Sequence, residues 1–184
     1  MNRRLMVLAA VLLGLFPATV SAQSGNLRLL FHEVRQVSEG GFFNWNGWVV
    51  APNVANVPSK WLVITGPRFQ GKNWWSEFNV GAFVRDGETT PTLDNRTNWP
   101  FFKPFPLWTN FMWTDFNEVY LYVEVDHPLP GGFVIGLETE NTFPDNKSFG
   151  PHLKFPLGRS TVHAVYQFHR GENQLWFRML VNFH

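Results

Sequence analysis

Four carboxylates lie close together in this chain: Glu124, Asp126, Glu138 and Glu140. They flank the stretch His127-Pro128-Leu129-Pro130-Gly131-Gly132, which reads as a tight turn. Within each pair the spacing is two, which puts both side chains on one face of an extended strand. A hairpin through that turn would set the two pairs against each other. Such a group suits acid–base work with paired carboxylates or the holding of a cation. It equally suits a charged row balanced by neighbouring cations. Lys154, His163 and Arg178 recur on the corresponding rows of the following segments and make that second reading the simpler one.

Other signs of chemistry are sparse. The six histidines are at 32, 127, 152, 163, 169 and 184, and none makes a His-x-His or His-Glu-x-x-His spacing. His163 and His169 share a row, but six residues of extended chain separate them by roughly 20 Å. They cannot bind one metal together, and no metal site or cofactor is read from spacing. A Gly-x-Ser-x-Gly elbow is absent, and Gly158-Arg159-Ser160 is turn chemistry. Catalysis is not expected.

Aromatic residues are unusually frequent, with 19 Phe, 9 Trp and 3 Tyr in a chain of 184 residues. Trp45, Trp48, Trp74, Trp75, Trp99, Trp108 and Trp113 are candidates for two roles. They would form interfacial bands at strand ends, or a stacking platform for a sugar. Location separates the two: bands face outward near both ends of the strands, whereas a platform sits on one face beside polar partners.

The elements that must position these residues repeat with a period of two. Val119, Leu121, Val123 and Val125 alternate with Tyr120, Tyr122, Glu124 and Asp126. The same pattern runs through Phe133–Glu140, Phe149–Phe155, Thr161–His169 and Leu175–His184. It recurs earlier over 26–37, 43–49, 60–66 and 74–85. Turn residues separate the runs, and no window has a helical period. Asp86–Pro106, with prolines at 91, 100, 104 and 106, reads as a long irregular segment. The count is eight to ten strands joined by short connections. The fold class expected is all-β, an antiparallel up-and-down β-barrel, with a soluble β-sandwich as the alternative.

Residues 1–22 read as a secretory signal peptide. Arg3 and Arg4 form a positive start, Leu5–Phe16 an apolar stretch, and Val20-Ser21-Ala22 a small-residue cleavage site. The expected domain is then 23–184. Without Arg3 and Arg4, 14 acidic residues slightly outnumber the basic ones, so the charge is about −1, with no footprint for nucleic acid. There is no cysteine to staple an exported fold.

Apolar rows with few charges, opposite rows rich in paired charges, and strands of membrane-crossing length allow either a half-buried soluble sheet or a barrel in lipid. The signal peptide, Gly150-Pro151-His152-Leu153-Lys154-Phe155-Pro156-Leu157 and the terminal Leu175-Trp176-Phe177-Arg178-Met179-Leu180-Val181-Asn182-Phe183 resemble the small bacterial outer-membrane β-barrels. The resemblance is one of class and is clearest over 119–184. It implies an exported protein whose partner is the outer-membrane bilayer. The polar rows would fill its lumen, with a structural, adhesive or narrow-pore role. Some such barrels are lipid-modifying hydrolases or acyltransferases, the enzymatic alternative. The soluble alternative is a periplasmic or secreted protein binding a carbohydrate or protein ligand through exposed tryptophans.

Overall fold

The computed structural model describes residues 26–57, 59–99, 105–114, 118–144, 146–169 and 172–183. The signal peptide expected at 1–22 lies outside them. Eleven strands follow one another: β1 (Asn26–Gln36), β2 (Phe43–Ala51), β3 (Trp61–Gln70), β4 (Trp75–Arg85), β5 (Glu88–Trp99), β6 (Leu107–Trp113), β7 (Val119–Pro128), β8 (Val134–Phe143), β9 (Asn146–Leu157), β10 (Ser160–His169) and β11 (Asn173–Phe183). Each pairs antiparallel with the next, and β1 pairs in parallel with β11, from Asn26↔Trp176 to Glu33↔Phe183. The sheet closes as one barrel and has no free edge, so every strand finds both backbone partners. The expected all-β up-and-down barrel is what forms, and the two-sheet sandwich is not.

The count exceeds eight to ten because β5 falls inside the segment read as irregular. Asp86 and Gly87 have φ of 52° and 86° and form a two-residue connection after β4. That is the left-handed geometry a tight hairpin needs, and an Asp-Gly pair adopts it readily. From there β5 pairs with β4 from Arg85↔Glu88 to Trp75↔Asn98. Its pairing with β6 starts only at Leu93↔Trp113. Pro91 therefore lies where β4 is the only strand paired with β5, the edge-like setting in which a strand tolerates proline. The turn expected at Pro67–Asn73 is also shorter, since β3 runs to Gln70. The β3–β4 ladder passes over Gly66 and Pro67 between Thr65↔Val80 and Arg68↔Glu77.

Alternation divides every strand between outside and lumen. The outward rows are mostly apolar: Leu137, Phe149, Val80, Phe78 and Leu93 are each more than half exposed, and the hydrogen-bonded polar groups Ser76–Thr97–Asn95 on β4 and β5 and Thr139–Asn141 on β8 interrupt them. Val123 and Phe177 share the outward rows of β7 and β11. Among the described strand residues, the outward Asp, Glu, Lys, Arg and His side chains are Glu33, Arg35, His127 and Lys147. All four lie within four residues of a strand end. The buried set is the reverse, with polar and charged residues outnumbering apolar ones. Arg68, Arg85, Arg96, Glu77, Glu124 and Arg178 line the inside. Its apolar part is a cluster on one wall, where Trp48, Val50, Leu62 and Ile64 pack with Leu30, Phe83, Met112 and Leu180.

Outward aromatics gather at both ends of the strands. At the end where β1 finishes, Phe42, Phe43, Phe69, Trp74 and Phe78 pack ring against ring, with Trp45 and Trp99 on neighbouring strands. At the other end are Trp61 and Trp113, with Phe149 and Phe168 in contact at 5.2 Å.

Candidate functional site

The lumen is the candidate site. It encloses a cavity of about 990 Å³ lined by residues from all eleven strands. Eleven strands make a wider tube than the eight that side chains alone can fill. The lumen thus keeps space that the expected filled interior would not have.

One polar cluster surrounds Glu77 on β4. Its carboxylate accepts hydrogen bonds from Trp48 Nε1 at 2.8 Å and Arg68 Nη1 at 2.7 Å, and His32 Nε2 lies 3.3 Å away. The Trp48 ring is held on both faces. His32 stacks on it at 3.8 Å between centroids, and the Arg96 guanidinium carbon lies 4.1 Å from the ring centroid. Next to it Asp94 accepts from Arg96 Nε at 2.9 Å, Asn79 at 3.1 Å and Asn110 at 2.6 Å. Glu77 is fully buried, and a carboxylate there persists only because cations and donors surround it.

The second cluster contains all seven residues expected to form a charge network. Glu124 and Glu138 are register partners across the β7–β8 hairpin. Lys154 on β9 bonds Glu124, and reaches Asp126 at 2.8 Å. Arg178 on β11 grips Glu138 with two nitrogens, at 2.8 and 2.6 Å, and also bonds Glu140 at 2.6 Å. His163 Nε2 approaches Glu138 at 3.2 Å. Closure of the barrel brings β11 and β1 round to face β8, so Arg28 joins with a 2.5 Å bond to Glu140. Tyr122 lies between the acids, its hydroxyl 2.5 Å from Glu124 and 2.8 Å from Glu138. Gln167 donates to Glu138 and Glu140. His152 lies 2.8 Å from Asp126.

Gly136 makes room for this cluster. A Cβ there would sit 2.6 Å from His152 Nε2 and 2.2 Å from the Val125 carbonyl oxygen. Any side chain at that lumenal position would displace the imidazole.

The seven tryptophans expected at an interface or platform divide. Trp45, Trp99 and Trp113 lie in outward rows near strand ends, and Trp74 is in the β3–β4 connection. Trp48, Trp75 and Trp108 instead line the lumen. The Arg68 guanidinium carbon lies 4.4 Å from the Trp75 ring centroid, and Trp108 meets Tyr122 edge-on at 4.9 Å. For these three the interfacial assignment is corrected. Their strand parity is that of the charged rows, and each shields or packs against a lumenal cation or phenol.

Arg28, Arg68, Glu77, Asp94, Arg96 and Tyr122 belong to the site but not to the expected network. Asp94 and Arg96 were hidden by the loop reading of 86–106. Arg28, Glu77 and Tyr122 already lay in alternating polar rows, which was the available signal. No family model, curated protein or solved structure matches the chain.

Proposed function

We propose that this protein is an exported outer-membrane β-barrel whose narrow, charge-lined lumen serves a structural, adhesive or small-solute pore role without catalysis. One observation carries the reading. The outward rows of the closed barrel are mostly apolar and, among the described strand residues, carry charged side chains only near strand ends, while the buried charges face inward. In water that distribution exposes apolar surface on every side of the molecule, which a soluble monomer rarely tolerates. In lipid it is the expected one, with aromatic bands at both interfaces and polar groups in the lumen.

Ion pairs such as Arg28–Glu140 and Arg178–Glu138 join strands far apart around the barrel and cross its interior. They narrow the lumen and tie its walls together, which favours a rigid barrel or a restricted pore over a wide channel.

Cell fractionation followed by gel mobility with and without boiling tests this. Recovery in the outer-membrane fraction, with a folded form that migrates differently until heated, is the expected result. A soluble periplasmic or secreted protein of unchanged mobility would replace the membrane reading with a water-soluble barrel.

A further inference from the structure

We propose that Glu124, Glu138, His152 and His163 form a lumenal binding site for one divalent transition metal, with zinc as its occupant. Each comes from a different strand, β7 to β10, and all four are buried. Each offers a ligand atom within 4.8 Å of the others. Glu138 Oε2 is the point of convergence. It lies 3.2 Å from His163 Nε2 and 3.6 Å from His152 Nδ1, and His163 Nε2 is 3.9 Å from Glu124 Oε2. A tetrahedral zinc ion with bonds near 2.1 Å holds its ligands about 3.4 Å apart, so small side-chain movements would complete the shell.

The two histidines supply the independent sign of a missing partner. His152 Nδ1 and His163 Nε2 are buried and make no hydrogen bond. His152 has no exposed side-chain surface. Its other nitrogen, Nε2, lies 2.8 Å from Asp126 Oδ1. A proton on Nε2 directed at that carboxylate leaves the Nδ1 lone pair aimed into the site. Carboxylate–histidine–metal arrangements fix the ligand tautomer in this way. Asp126 is in turn held by Lys154.

Charge and proton counts agree. Glu124, Asp126, Glu138 and Glu140 face three permanent cations, Arg28, Lys154 and Arg178. With all four carboxylates ionised and both histidines neutral, the forms that bind a metal, one negative charge is left over. The Tyr122 hydroxyl approaches both Glu124 Oε2 and Glu138 Oε2 but has a single proton to donate. Two imidazole nitrogens with two carboxylate oxygens suit zinc, whereas magnesium and calcium prefer oxygen alone. The proposal does not rest on the membrane reading, because the site lies within the barrel wherever the barrel resides.

The test uses the untagged full chain, stripped with a chelator and titrated with zinc. One equivalent should bind per chain. Cobalt(II) should give the intense visible absorption of a four-coordinate site, and zinc should abolish it. His152→Gln combined with His163→Gln should eliminate both signals. Asp126→Asn, which only positions His152, should lower affinity about 10- to 100-fold. His169→Gln, bonded to Asn146 and outside the site, should bind as the parent does. Zinc binding that survives the double histidine variant would overturn the proposal, as would preferential binding of magnesium or calcium. If the double variant does not fold, the unmodified chain decides: a cobalt spectrum like that of the hydrated ion rejects the site.

Discussion

Arg178 on β11 meets Glu138 on β8 with both terminal guanidinium nitrogens, one on each carboxylate oxygen, at 2.8 and 2.6 Å. Both side chains are almost fully withdrawn from solvent. Removing one partner of such a pair leaves the other charge buried and uncompensated. Arg178→Ala should therefore cost roughly 3–5 kcal/mol. Arg35, whose side chain is 80% exposed beside Glu33, is the comparison, and Arg35→Ala should change stability by about 0.5 kcal/mol or less. Denaturant unfolding of the two variants beside the parent measures the difference. Equal, small effects would mean that the cross-lumen pair contributes little and that water fills the interior.

The outer face gives a prediction of opposite character. Leu137 is 64% exposed and Phe177 is 40% exposed, and Val123 shares their outward facing on β7. If lipid covers them, Arg at any of these positions should cost roughly 2–4 kcal/mol near the bilayer midplane and much less near an interface. In water the same changes should be nearly neutral. Refolding into lipid vesicles, followed by denaturant titration, distinguishes the cases. Three arginine variants that fold and insert like the parent would count against a lipid-facing surface.

How far the fold was legible in the sequence depends on which strand is considered. β7 and β8 alternate without interruption about a Gly- and Pro-rich turn, so their faces and the register of Glu124 against Glu138 could be anticipated. β5 could not be seen while Pro91 was weighed as a strand breaker. That rule applies to a strand paired on both sides, and Pro91 lies beyond the end of the β6 pairing. Asp86-Gly87 was the countervailing signal, a tight-hairpin pair directly after a clear strand. Arg96 shows the consequence. A loop position implies an exposed arginine, yet the residue is 3% exposed, bonded to Asp94 and seated on Trp48. The histidine pair was illegible for another reason. His152 and His163 lie on adjacent strands, and spacing rules within one strand do not detect residues brought together by pairing and side-chain reach.

Trp48 permits a finer test of the Glu77 cluster. The indole N–H donates to Glu77 at 2.8 Å, while the ring packs between His32 and Arg96. Trp48→Phe keeps an aromatic face for both but removes the donor, leaving a buried carboxylate one hydrogen bond short. A loss of about 1–3 kcal/mol is expected. Trp48→Ala also opens a cavity in the apolar cluster with Val50, Leu62 and Ile64, and should cost more, about 3–5 kcal/mol. Unfolding midpoints should rank parent, Phe variant, Ala variant. Similar losses for the two variants would assign Trp48's contribution to the hydrogen bond and not to packing.

Gly136 supplies the last prediction, because it joins backbone geometry to the second cluster. Its position on β8 faces the lumen opposite His152 on β9, and the two residues are register partners. A methyl group there would lie 2.2 Å from the Val125 carbonyl oxygen and 2.6 Å from His152 Nε2. The ring can swing away, but the carbonyl belongs to the β7–β8 ladder and cannot move far without breaking it. Gly136→Ala should therefore destabilise the barrel by about 1–3 kcal/mol, as overpacking does. It should also pull His152 from Asp126, since the 2.8 Å contact between them lies on the clashing side. Nitrogen-15 spectra of the histidine side chains provide the second readout. In the parent, His152 should show a single fixed tautomer with the proton on Nε2. In Gly136→Ala that signature should be lost while the His169 signal at the strand end is unchanged. A Gly136→Ala variant with parental stability and an undisturbed His152 tautomer would mean that β7, β8 and β9 leave room for a methyl group at this position.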